Sequence, residues 1–242
     1  MKQRFTLIAL FGMVLFAEGQ RRYASASVLS SGQWAKVSVG QQGVYKITAA
    51  FMKNAGFTSA IPSANIRFYG TGGAVLPESN QQVIGDDLPE VAIEMNDGGD
   101  GIFDGNDYFL FYAPGPHQWI VDPLTREFGF RKNPYSDRSF YFINIGNAQG
   151  KRIAEIPIVL NPSTVVVEFD EHYRHELDSI NFLRSGKEWY GEPFGTQGGK
   201  PSTRDFTLNL SGAVVGTDFT LHSEVVGRSF EQPNRMQVLL NG

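Results

Sequence analysis

The sequence predicts a mainly β chain, built as two β-rich, sandwich-like subdomains with one or two short helices. Three observations carry that expectation. Aromatic residues make up 13% of the chain, with 19 Phe and 9 Tyr, and rings fit a pleated, half-buried surface better than a helix. The apolar runs are short and are joined by glycine-rich turns. Val91, Ile93 and Met95 alternate with Ala92 and Glu94, the two-residue period of a strand with one wet face.

At the start of the chain, Lys2 and Arg4 introduce an apolar run from Phe5 to Phe16 that ends at Ala17-Glu18-Gly19. A charged start, a short greasy run and small residues at a cut site make residues 1–19 a secretory signal peptide. The run is too short to span a bilayer, and no later segment is long or apolar enough to be a membrane helix. The chain has no cysteine, which excludes a lipid anchor, a disulfide and a thiol nucleophile. An exported chain without disulfides fits a bacterium. Of 21 basic and 25 acidic residues, Lys2, Arg4 and Glu18 lie in the leader, leaving 19 against 24 and a net charge of −5. That balance argues against nucleic acid, because phosphate binding needs a basic face.

Residues 27–160 read as the first β-rich domain. Trp34–Val39 and Val44–Ile47 flank Gly40-Gln-Gln-Gly43, a hairpin signal. Thr48 is placed to cap a short helix in which Phe51, Met52 and Ala55 share a face, with Gly56 as a left-handed stop. Ile66–Tyr69 and Ala74–Leu76 flank Gly70-Thr-Gly-Gly73, a second hairpin signal. Tyr108–Tyr112 has no polar alternation, which predicts a central strand buried on both faces. Pro114, Pro116, Pro123 and Pro134 make 113–136 a long surface excursion before a strand at Phe140–Ile145. Pro157 demotes Ile153–Leu160 to a sheet edge.

Asn161-Pro162 marks the start of a second, incomplete β-sandwich-like domain over 161–242. Its expected elements are Val165–Tyr173, a short helix near Ser179–Arg184 ending at Gly186, and strands near Phe206–Leu210, Phe219–Val226 and Met236–Leu240. Asn241-Gly242 is a strong hairpin signal with no return strand after it. The chain therefore reads as the front piece of a longer protein.

The candidate site with most chemistry is Asn96-Asp-Gly-Gly-Asp-Gly-Ile-Phe-Asp-Gly-Asn-Asp107. Clustered carboxylates repel, and a hard cation is one reason to hold them together. With Asn96 at position 1 of a calcium loop, Asp100 falls at 5, Gly101 at 6, Asp104 at 9 and Asp107 at 12. Gly98 leaves position 3 without a side chain, and Asp107 stands where Glu would reach further. Calcium on Asn96, Asp100, Asp104 and Asp107 is thus one reading. The other is a turn in which glycines supply positive φ and Asp side chains cap their own backbone.

Other constellations are thinner. His172 and His175 are three apart in a strand-like run, so they face opposite sides and cannot share zinc without a bulge. His117 and His222 are isolated. No Gly-x-Ser-x-Gly elbow occurs. Gly195-Thr-Gln-Gly-Gly-Lys200 fails as a phosphate loop because Phe194 precedes it and Pro201 follows the Lys. Glu78, Asp86, Asp87, Glu90 and Glu192 lie near turns, but the separation a glycosidase pair needs is not readable from sequence. Trp34, Trp119 and Trp189 fit either a sugar-stacking platform or buried core rings.

An ordered series of motifs adds a resemblance. It comprises Trp34-Ala-Lys-Val-Ser-Val-Gly-Gln-Gln-Gly-Val-Tyr-Lys-Ile47, Asn65-Ile-Arg-Phe-Tyr-Gly-Thr-Gly-Gly73, Leu76-Pro-Glu78, the Asn96–Tyr112 segment, and Ser185-Gly-Lys-Glu-Trp-Tyr-Gly-Glu192. From about Ser27 to the end, this order resembles the N-terminal region of the PorU family of type IX secretion sortases, gingipain-like cysteine peptidases of Bacteroidota. Lys187 and Tyr190 depart from the Arg and Phe more usual there. The resemblance implies an exported enzyme at the outer-membrane surface of a Gram-negative bacterium. That enzyme removes the C-terminal signal of secreted cargo and joins the cargo to anionic lipopolysaccharide. The catalytic His and Cys of the family lie in a peptidase domain downstream, so no catalytic residue carries over to this chain. Implied partners are that domain and other type IX secretion components. The competing expectation is a stand-alone adhesive or glycan-binding β module with a structural calcium loop.

Overall fold

The computed structural model describes residues 23–241 apart from 59, 74, 78, 80–83, 159, 185, 187, 196–197 and 230–232. The proposed leader, Ala74, Glu78, Ser185, Lys187 and Gly242 therefore lie outside the described residues. Two compact units divide at His172/Tyr173.

The first unit is mainly antiparallel β. Its strands are β1 (Trp34–Val39), β2 (Gly43–Thr48), β3 (Ile61–Pro62), β4 (Ile66–Gly70), β5 (Glu90–Val91), β6 (Glu94–Asn96), β7 (Ile102–Phe103), β8 (Tyr108–Ala113), β9 (Gln118–Val121), β10 (Phe128–Arg131) and β11 (Ser139–Ile145). One sheet has the order β1-β11-β4-β5 and a second the order β2-β8-β6. Two small ribbons, β3-β7 and β9-β10, complete the set.

The two larger sheets pack face to face through rings. Phe68 of β4 and Tyr141 of β11 stack at 5.2 Å and 8°. Phe111 of β8 meets Phe68 at 4.3 Å and Tyr141 at 5.2 Å, while Phe109 meets Phe68 edge-on at 5.7 Å. Ile47, Met52, Ile66, Ile93, Phe103 and Ile143 close the core around them. This is a sandwich core of interdigitating inner-face side chains. Gly70 stands opposite Tyr141 in the register, and a Cβ there would overlap the Tyr141 ring.

Neither expected hairpin forms among the described residues. β1 pairs with β11 in one sheet and β2 pairs with β8 in the other, so Gly40–Gly43 carries the chain across the sandwich. β4 pairs with β11 and β5 rather than with a strand after Gly73. The alternating Val91–Met95 run also divides, β5 joining β4 and β6 joining β8. β8 is central in its sheet, as expected, but it is not buried on both faces. Phe109, Phe111 and Ala113 point inward, whereas Tyr112 is exposed and Tyr108 and Leu110 are half-buried. The phenol groups tolerate water, so the apolar run conceals an inward/outward alternation.

The helix α1 (Ala49–Asn54) is where the sequence places it. The Thr48 side chain accepts the Phe51 N–H at 3.2 Å, and Gly56 takes φ +92°. Met52 alone of its expected apolar face is buried, with Phe57 covering the adjoining core.

Beyond β11 the expected elements do not form among the described residues. Ile153 donates its N–H to Ile93 O at 3.0 Å, but no strand covers 153–160 or 165–173. Ser179–Arg184 is not helical, since Ile180 bridges Tyr190 and Arg184 takes φ +52°. No described strand occupies 206–210, 219–226 or 236–240. Most of their apolar side chains are exposed, with Leu208 half-buried. A strand needs a neighbour to complete its ladder, and none is paired with these segments.

Candidate functional site

The 96–107 loop is built from glycines and self-capping carboxylates. Gly98, Gly99, Gly101 and Gly105 all adopt positive φ, between 53° and 85°, which side chains with a Cβ rarely tolerate. The Asp100 carboxylate accepts the Ile102 N–H at 2.9 Å, and that of Asp107 accepts the Asp104 N–H at 2.8 Å. Asp107 N–H in turn donates to Asp104 O at 2.9 Å. Asn96 donates through Nδ2 to the Tyr108 hydroxyl at 3.2 Å. These are Asx-type turns of the kind that shape loops without a ligand. Of the four calcium candidates, Asp104 and Asp107 are brought together through backbone, while Asn96 and Asp100 have other partners. No three acidic or histidine side chains among the described residues form a metal-holding group.

A carboxylate outside that set ties the loop to the sandwich. Asp97 accepts hydrogen bonds from the Ser63 hydroxyl and from Gly99 N–H, the second at 3.1 Å. These bonds, with the Arg152 charge behind them, hold its carboxyl below the usual range. Ser63 N–H also donates to Gly101 O at 2.9 Å. Arg152 then grips the turn from the other side. Its Nη2 donates to Ser63 O at 2.6 Å and Ala64 O at 3.1 Å, and its Nη1 to Ile66 O at 3.1 Å. Burial pulls the Arg152 pKa down against the opposing pull of Glu90 and Asp97.

A second clamp lies beside it. Arg67 donates to Glu90 at 2.6 Å, and the other Glu90 oxygen accepts the Lys151 N–H at 2.8 Å. Burial would raise the Glu90 pKa, but these bonds and the Arg67 charge outweigh it and hold the carboxyl low. Together the clamps fasten β4, β5, the 150–152 segment and the glycine loop. Their chemistry is positional, since each charged group is spent on backbone or on its partner.

Asp86, Asp87, His117, Trp34, Trp119, His175 and Glu192 are likewise engaged. Asp86 accepts Ala24 N–H at 2.7 Å, and Asp87 accepts the Ser27 hydroxyl at 2.8 Å and Val28 N–H at 2.5 Å. Those bonds lower the Asp87 pKa and pin the start of the described chain. His117 accepts Asn133 N–H at 3.0 Å. Trp34 packs edge-on to Tyr69 at 5.3 Å and donates to Ser31 O. Trp119 stands on the β9-β10 ribbon among Phe128, Phe130 and His172. In the second unit, His175 bonds Glu192 at 2.5 Å, which lowers the Glu192 pKa, and Trp189 is 43% exposed. His172 and His175 thus have separate partners. Sequence reasoning missed Asp97, Arg152 and the Arg67–Glu90 pair. Only the excess of Asp in a glycine loop hinted at the first.

No helix among the described residues is long and apolar enough to cross a membrane. No protein-family model matches the chain, and no curated relative matches it. A search of solved structures finds similarity to the dimeric latent PorU from Porphyromonas gingivalis. The TM-score is 0.52 at 28% identity, over 65% of this chain and 14% of that one. The chain is thus structurally related to a PorU fragment and spans a small part of that protein's length.

Proposed function

We propose that this chain is the non-catalytic N-terminal region of a cell-surface type IX secretion sortase. The observation that carries the reading is the 28% identical structural match to a fragment of PorU. The lack of any cysteine supports it, because a cysteine peptidase step then falls to residues outside this sequence. In the full-length form the enzyme cleaves the C-terminal signal of secreted cargo and attaches the cargo to lipopolysaccharide at the outer-membrane surface. Its partners are the peptidase domain and other type IX components. Within that protein the ring-packed sandwich and its two arginine clamps act as a rigid support, the kind of element that holds a site in place.

The test is the size and chemistry of the native protein. An antibody against residues 23–241, applied to intact source cells, should label their surface. It should also capture a species several times heavier than 26.8 kDa that reacts with a cysteine-directed probe. A captured species near 26.8 kDa and without a reactive thiol would refute the proposal. The glycan-binding reading rests on the exposed ring of Trp189. It predicts glycan-array binding that Trp189→Ala or Trp119→Ala removes.

A further inference from the structure

We infer that His117 is a proton-sensitive latch on the 132–138 turn, closed while its ring is neutral and released when the ring is protonated. The excursion between β8 and β11 leaves the sandwich at Ala113 and returns at Ser139. His117 stands on the outgoing limb, one residue before β9, and meets the returning limb at two points. Its Nδ1 accepts the Asn133 backbone N–H at 3.0 Å. A backbone N–H only donates, so Nδ1 carries the lone pair and the neutral ring keeps its proton on Nε2. Nε2 lies 3.4 Å from an Asp137 carboxylate oxygen. A further proton can therefore enter only at Nδ1, where it takes the lone pair that Asn133 uses. Two donors then face each other, and the bond is lost.

Protonation also strengthens the pair with Asp137, and the surroundings decide which effect wins. The Asp137 side chain is 89% exposed, and an ion pair open to water contributes little. The Asn133 bond is partly buried, where a lost bond costs more. β10 turns the uncharged Phe130 ring toward the imidazole at 6.1 Å. Arg131 and Lys132 lead into the returning limb, and Arg138, bonded to the Ser38 hydroxyl at 3.1 Å, ends it. These like charges disfavour a cation on the ring. Asn133 organises the turn that the latch holds. Its Oδ1 accepts the Tyr135 and Ser136 N–H groups at 2.9 and 3.3 Å, and its Nδ2 reaches Gly73 O at 3.5 Å. No helix or strand covers 132–138, so its hold on the sandwich rests on a few side-chain bonds, at the low end of local stability. Gly73 in turn packs on Ser139. A Cβ on Gly73 would overlap the Ser139 hydroxyl, which is buried without a hydrogen-bond partner. Opening the turn gives that hydroxyl access to water and so favours release. The inference stands apart from the sortase reading, because it concerns this turn alone.

The test is amide exchange and nitrogen NMR on the intact chain between about pH 8 and pH 5, the range in which imidazoles change charge. Protection factors, corrected for the intrinsic pH dependence of exchange, isolate the structural change. At the upper end the His117 ring should be the Nε2–H tautomer and the Asn133 amide should be protected. Acidification should lower Asn133 protection at least about tenfold in step with protonation of His117, while the ladder amides of β8 and β11 keep theirs. His117→Asn keeps an acceptor oxygen near the Nδ1 position and cannot titrate, so its Asn133 protection should not change with pH. Asp137→Asn removes the charge that favours the imidazolium, so release should move to lower pH. Asn133 protection that is unchanged, or that rises on acidification as a dominant Asp137 pair requires, would overturn the proposal. So would an equal fall in His117→Asn, release at higher pH in Asp137→Asn, or a fall shared by the ladder amides.

Discussion

Replacing Phe68 by Ala tests how the sandwich is held together. Phe68 is fully buried and touches rings from both sheets, Tyr141 within its own sheet and Phe109 and Phe111 across the core. Emptying a buried Phe position costs about 3–5 kcal/mol from lost transfer energy and the cavity left behind. Three ring contacts, each worth about 0.5–1.5 kcal/mol beyond area, place the effect toward the upper part of that range. A loss of about 4 kcal/mol in a chain of this size corresponds to a melting shift of roughly 8–16 °C. Phe68→Leu keeps most of the apolar volume and should lose only about 1–2 kcal/mol. The assay is guanidinium unfolding followed by near-ultraviolet circular dichroism, with melting temperatures alongside. If Phe68→Ala loses less than about 1 kcal/mol, the sheets are not packed through this ring and the sandwich account fails.

Other predictions follow from the clamps and the loop. Glu90 and Asp97 are held below the usual carboxylate range. Their stabilisation is therefore complete above pH about 4.5 and is lost as pH falls through their lowered folded values. E90Q/D97N should flatten the fall in stability between about pH 5 and pH 3, and an unchanged acid limb would contradict the clamp assignment. Gly70→Ala places a Cβ into the Tyr141 ring and should cost about 1–3 kcal/mol by overpacking, read from the urea midpoint. Millimolar calcium should leave the melting temperature of the chelated protein unchanged, because Asp97, Asp100 and Asp107 are engaged on loop backbone. A rise of several degrees that D104N abolishes would favour the metal reading instead.

Much of the local structure was legible in the residues, and little of the pairing was. Thr48 and Gly56 announce a helix because caps act within four residues, and α1 obeys them. Gly40–Gly43 announces only that the chain turns. Whether the flanking strands then pair is decided by β8 and β11, which lie far along the sequence. The same distance hid the loop's anchor, since Asp97 meets Ser63 from 34 positions away. The Asp-capped turn was readable because an Asx turn is local. The strand-like runs after residue 160 mislead for the opposite reason. Alternation at Phe206–Leu210 and Phe219–Val226 describes a surface ready to be covered, and a ladder forms only where a partner meets it.

The central claim is that this region serves a type IX sortase, and cargo processing in the source cells tests it most directly. Removing the codons for residues 23–241 from the chromosome should leave secreted cargo with its C-terminal signal uncleaved and unattached to lipopolysaccharide. Both are read by mass spectrometry of the outer-membrane and culture fractions. Cargo that is still cleaved and attached normally would contradict the account.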